Sequence, residues 1–75
     1  MKRFIISNHA RERMVLRGIS LGMIKETVLK NDYCKTGRFD RLLAFKLLPR
    51  GLMKVVYVRE KTTYHIVSVI WEKIN

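Results

Sequence analysis

Two side chains four residues apart carry the chemistry most worth testing in this sequence. His9 and Arg13 have the spacing that places them on one face of a helix, one turn from each other. Cleaving an RNA phosphodiester without a metal needs a group to take the 2′-hydroxyl proton and a cation to hold the charge on phosphorus. Often it also needs an acid for the leaving oxygen. An imidazole changes protonation near neutral pH, and a guanidinium can clamp phosphate oxygens bidentately. The plainer alternative is that His9 helps to close a helix end while Arg13 is a solvated cation.

Other residues extend the pair to a candidate polynucleotide surface. Arg11 and Arg17 share the helical segment, and Lys46, Lys54 and Arg59 fall in the strand-like half as candidate phosphate contacts. The last apolar segment alternates Tyr64, Ile66, Ser68 and Ile70 with His65, Val67, Val69 and Trp71. If the Val67 and Val69 side is core, Tyr64 is free to stack on a base and Ser68 to bond a phosphate. The opposite register exposes His65 and Trp71 instead, and the pattern fits both. Aromatic side chains in strands also serve as core and cross-strand packing. The six carboxylates are scattered, Cys34 is the only cysteine and there are two histidines, so neither a two-metal centre nor a zinc site is expected, nor any other cofactor.

The elements that would hold these groups can be read along the chain. Arg3–Ile6 is a short strand, Ser7 and Asn8 are capping residues, and the segment from Asn8 to Arg17 ends at Gly18, which suits a left-handed helix terminus. Ser20 caps a second helix whose Leu21, Ile24, Val28 and Leu29 recur at helical spacing. Residues 32–40 lack a sustained period and read as a connecting loop. Leu42–Leu48, Leu52–Arg59 and Thr63–Trp71, separated by short turns, read as an antiparallel meander. The expected architecture is α+β over the single domain 1–75. It runs strand, helix, helix and then three strands, with both helices on one face of a small antiparallel sheet and the other face open as a platform for a polynucleotide.

Lysine and arginine number 16 against 6 acidic residues, a formal net charge of +10 over 75 residues. So large a field on so small a surface calls for a polyanionic partner, with RNA the expected one. No apolar run is long enough to span a bilayer and no secretory leader is evident. The expectation is a cytoplasmic protein without a membrane partner, in a compartment that keeps Cys34 reduced.

His9-Ala10-x-x-Arg13-Met14, Arg17-Gly18-Ile19-Ser20 and the closing Ile66-Val67-Ser68-Val69 resemble a family of short bacterial proteins similar to the RelE-like toxins, within the barnase, EndoU, colicin and RelE fold group. The resemblance implies a toxin that cleaves RNA without metal, ribosome-associated mRNA included, and that an acidic antitoxin protein holds inactive. It assigns His9, Arg13 and Ser68 to the catalytic site. RelE-like toxins commonly place a tyrosine and basic groups near a C-terminal extension, and this sequence ends at Asn75. Two alternatives stand beside this reading: a non-catalytic module of the same fold that binds RNA or the ribosome, and a helix-turn-helix about Arg17–Ser20 that reads DNA.

Overall fold

A computed structural model describes residues 2–73. Strand β1 (Arg3–Ile6) leads into helix α1 (Asn8–Arg17) and helix α2 (Leu21–Leu29), followed by β2 (Tyr33–Thr36), β3 (Leu42–Leu48), β4 (Gly51–Glu60) and β5 (Thr63–Glu72). Each helix begins where the sequence supplies an oxygen for orphan amides. The Ser7 hydroxyl accepts from Ala10 N at 3.0 Å, and the Ser20 hydroxyl accepts from Met23 N at 3.1 Å. Helix α1 stops at Gly18, whose φ of 63° is the left-handed conformation that a residue without Cβ adopts without steric cost.

The strands form one five-stranded mixed sheet in the order β1-β5-β4-β3-β2. β2 through β5 are antiparallel neighbours, and β1 lies parallel to β5, pairing Arg3 with Thr63 and Ile6 with Ile66. The three-strand meander and the first strand expected from the sequence are present, but the first strand joins in parallel, so the sheet is mixed and not antiparallel throughout, and a fifth strand flanks the other edge. β2 occupies the segment read as loop. Its four residues are all exposed, so it has no buried face and no apolar alternation to betray it. It is held by backbone pairing to β3 and by Tyr33 stacking on Phe45, with ring centroids 4.6 Å apart.

The two helices lie on one face of this sheet. Ala10 and the partly buried Met14 of α1 pack toward Ile66 and Val69 of β5, while Ile24 and Val28 of α2 pack toward Ala44, Met53 and Val55. Ile19, Leu48, Tyr57 and Tyr64 complete the core, and the buried Thr27 hydroxyl is satisfied by Met23 O at 2.8 Å. Each fully buried side chain of this kind contributes roughly 1.5–3 kcal/mol.

Helix α1 is tied to β5 at both ends. At its start Ser7 N donates to Ile66 O and the Ser7 hydroxyl donates to Val67 O at 3.1 Å. At its end Arg17 Nη1 donates to Val69 O at 2.9 Å, and Trp71 Nε1 donates to Arg17 O at 3.2 Å. Arg50, from the β3–β4 turn, closes the same corner by donating to Gly18 O and lying over the Trp71 ring. Because the Ser7 hydroxyl both caps α1 and bonds β5, Ser7→Ala should cost about 1–2 kcal/mol in urea unfolding with an unchanged m-value. A variant as stable as the wild type would refute this double role.

Candidate nucleic-acid interface

The first turn of α1 carries His9, which is exposed, and Arg13 follows one turn later, half-buried. Among the described residues no hydrogen bond or ion pair restrains either side chain, and both lie on the helix-covered side of the molecule. Ser68 does not join them. β5 bulges between Tyr57↔Ile66 and Val56↔Ser68, so that Val67 is an extra residue in the register. The bulge shifts the alternation. Tyr64 and Ile66 before it, and Val69 after it, all point into the core, which sends Ser68 to the face away from the helices. A constellation of His9, Arg13 and Ser68 is therefore not assembled, and neither of the two registers read from the sequence applies along the whole strand.

The same shift corrects Tyr64. It is 5% exposed, stacked on Phe4 with centroids 4.9 Å apart and tilted against Tyr57, so its ring is occupied as core packing. Three candidate phosphate cations are also engaged within the fold. Arg17 is bonded to β5, as described. Lys46 Nζ donates to Lys30 O at 3.0 Å, closing the end of α2, and lies 3.9 Å from Asp32. Lys54 forms a 2.8 Å ion pair with Glu72. Arg11 and Arg59 remain exposed, and Arg59 stands over the Tyr64 ring with its Nε donating to Lys61 O at 3.1 Å.

A cationic site that the sequence reading passed over lies at the β2–β3 hairpin. Thr36, Gly37, Asp40, Arg41, Leu42 and Arg59 line a cleft of about 230 Å³. The hairpin is closed by Gly37 N donating to Arg41 O at 2.7 Å and Arg41 N donating to Arg38 O at 3.1 Å. At its tip Phe39 and Asp40 have φ of 57° and 59°, two successive non-glycine residues in the left-handed region, and Phe39 is 83% exposed. The available signal was an aromatic residue between arginines in a turn, Arg38-Phe39-Asp40-Arg41. Beneath the cleft, Tyr57 is pushed up to about 12, chiefly by burial and then by the neighbouring Cys34, with Tyr64 adding to the rise and Arg59 opposing it.

The sheet face away from the helices has an apolar character. Leu43, Leu52, Val56, Val58 and Ile70 are half-buried there, with Leu47 and Ile5 exposed, and the Lys54–Glu72 pair crosses its middle. The expected open face is present, but its aliphatic surface is ill suited to phosphates. Phe45 on this face is covered by Tyr33, and Lys35 Nζ lies within 6 Å of both rings. Among the described residues no three His, Cys, Asp or Glu side chains gather as a metal-binding group, and no helix is long and apolar enough to cross a membrane.

Fold and surface together define a small, strongly basic α+β domain with two helices on one side of a five-stranded mixed sheet. The chain belongs to the family described as Domain of unknown function (DUF4258), which matches residues 6–71. No curated protein and no solved structure matches it.

The raised Tyr57 phenol has a measurable consequence. The folded state holds this proton more tightly than the unfolded chain, whose phenol ionises near 10, so the contribution is intact below pH 10 and is lost as pH rises toward about 12. Wild type should lose more stability than Tyr57→Phe between these limits in denaturant unfolding, because the lysines that also titrate there are common to both proteins. Equal losses would show that Tyr57 ionises as it does in the unfolded chain.

Proposed function

We propose that this chain is a RelE-like RNA-binding domain that acts as a metal-independent endoribonuclease of the toxin kind, in the cytoplasm. The observation that carries the RNA reading is the surplus of unneutralised cations. Of 16 basic side chains, only Lys46 and Lys54 are in ion pairs among the described residues, on a body measuring 33 × 24 × 23 Å. Such a surface concentrates phosphate polymers and binds them in a salt-dependent way. RNA, ribosome-associated mRNA included, is the polyanion proposed.

The catalytic part of the reading rests on His9 and Arg13. Helix α1 presents its amide end beside His9, a setting that favours a phosphate, and Arg13 lies one turn along. In the proposed step His9 takes the proton from a ribose 2′-hydroxyl, and the freed oxygen attacks phosphorus. The bond to the 5′-oxygen breaks, and that oxygen takes a proton from solvent. Arg13 balances the charge on the phosphate oxygens as it builds. Arg11 and Arg59 would hold the flanking backbone, and Ser68, on the far side of the sheet, has no part in this step.

The alternative of a non-catalytic RNA- or ribosome-binding module uses the same cations and draws support from the lack of any hydrogen bond orienting His9 among the described residues. A helix-turn-helix that reads DNA is less well supported, because the outer surface of α2 carries Leu21 and Leu29, each 41% exposed, alongside Lys25 and Lys30. An acidic antitoxin is the proposed protein partner. The aliphatic sheet face supplies apolar area for such a contact, and the net charge of +10 favours an acidic occupant over a second copy of this chain.

The test is incubation of purified protein with labelled single-stranded RNA in EDTA. Wild type should cut it, and His9→Ala, prepared identically, should slow cleavage by about 100-fold or more, the usual contribution of a general base. Arg13→Ala should reduce the rate while leaving most of the binding. Undiminished cleavage by His9→Ala would overturn the catalytic assignment, and binding without any cleavage would favour the module reading.

A further inference from the structure

We infer that the β2–β3 hairpin is a binding site for one nucleotide of a single-stranded RNA, with the phosphate in the Arg41–Arg59 cleft and the base stacked on Phe39. The inference deepens the proposed function and rests on RNA being the polyanion. It starts from a ring that the fold does not use. Phe39 is 83% exposed and, among the described residues, stacks on no aromatic partner, although its backbone is held in the left-handed region, where a bulky side chain is rarely found. Packing the ring onto apolar neighbours would offset a backbone cost of this kind, and here the ring stands in solvent instead. An outward aromatic face is a stacking platform that accepts any base.

The surroundings supply the other half of a nucleotide site. Arg41 and Arg59 line the cleft with the Thr36 hydroxyl. Arg59 is steadied by its Nε bond to Lys61 O and by the Tyr64 ring beneath it, which leaves its terminal nitrogens for a ligand. Among the described residues Asp40, the carboxylate of the cleft, forms no ion pair with either arginine. Size divides the ligand between the two features. At about 230 Å³ the cleft is smaller than the ~300–1,000 Å³ of pockets that enclose a drug-sized molecule, so it suits a phosphate and leaves the base outside. Phe39 is then within two residues of the cleft-lining Arg41 along the same turn. A paired base has both faces covered by its neighbours in the duplex, so this site selects single strands.

Fluorescence anisotropy with an end-labelled 2′-O-methyl-uridine octamer tests this without interference from cleavage, because the methyl group removes the attacking hydroxyl. Phe39→Ala should weaken binding of the octamer by between about 5- and 150-fold. Its salt slope should not change, binding of the duplex with the complementary octamer should be unaffected, and Phe39→Tyr should restore affinity. Arg41→Ala should weaken binding and lower the magnitude of the salt slope by about 0.7. Lys73→Ala, which removes an equal charge far along the chain, should not distinguish single strand from duplex. Phe39→Ala binding within two-fold of wild type, or losing single strand and duplex alike, would overturn the hairpin site while leaving RNA binding intact. A wild type that binds neither ligand would overturn both readings.

Discussion

Strand β5 is the constraint on which the rest of this small fold depends. It is the one strand with a parallel neighbour on one side, β1, and an antiparallel neighbour on the other, β4. The four hydrogen bonds that hold the ends of α1 to the sheet, through Ile66, Val67, Val69 and Trp71, also fall on it. A bulge in such a strand is propagated to everything attached. Because Val67 is the extra residue, its carbonyl becomes the acceptor for the Ser7 hydroxyl, and the side chains on either side of it are re-aimed. The start of α1, and with it His9, is thus positioned by an irregularity fifty-eight residues further along the chain.

The two faces of the sheet divide the molecule by chemistry. Toward the helices lie the buried aliphatic side chains and the pair Tyr57 and Tyr64. On the other side lies a second, shallower apolar layer, roofed at one end by Tyr33 and Lys35 and crossed by one ion pair. The positive charge is concentrated elsewhere, on α1, at the hairpin tip and around the turns. The polyanion and the protein partner proposed above would therefore use separate surfaces, one cationic and one aliphatic.

How far the sequence revealed this arrangement depends on what kind of signal each element leaves. Both helices were legible because Ser7, Gly18 and Ser20 act locally, through caps and a left-handed terminus that neighbouring residues determine. The meander was legible from β-branched runs and short turns. β2 left no trace, since an exposed edge strand has no buried side and its pairing is decided by β3, from Thr36 with Leu42 to Tyr33 with Phe45. The bulge was equally hidden: strict alternation assumes one residue opposite one, and a single inserted residue put Tyr64 in the core while Ser68 lies on the open face. Lys46, Lys54 and Arg17 carried charge without showing their partners, because Lys30 O, Glu72 and Val69 O are brought to them by the tertiary fold.

The pairing of β1 with β5 also has a bearing on how the molecule is made. Arg3 through Ile6 pair, among the described residues, with Thr63 through Ile66 alone, so the first four-residue strand waits for about sixty further residues before it can be satisfied. Contacts between segments so distant in sequence are slow to form, because a long loop must close before any of them is rewarded. The meander and α2 can assemble first from near neighbours. Helix α1, whose anchors sit on β5, cannot be fixed to the sheet until that strand has been made, and the place of His9 is set with it.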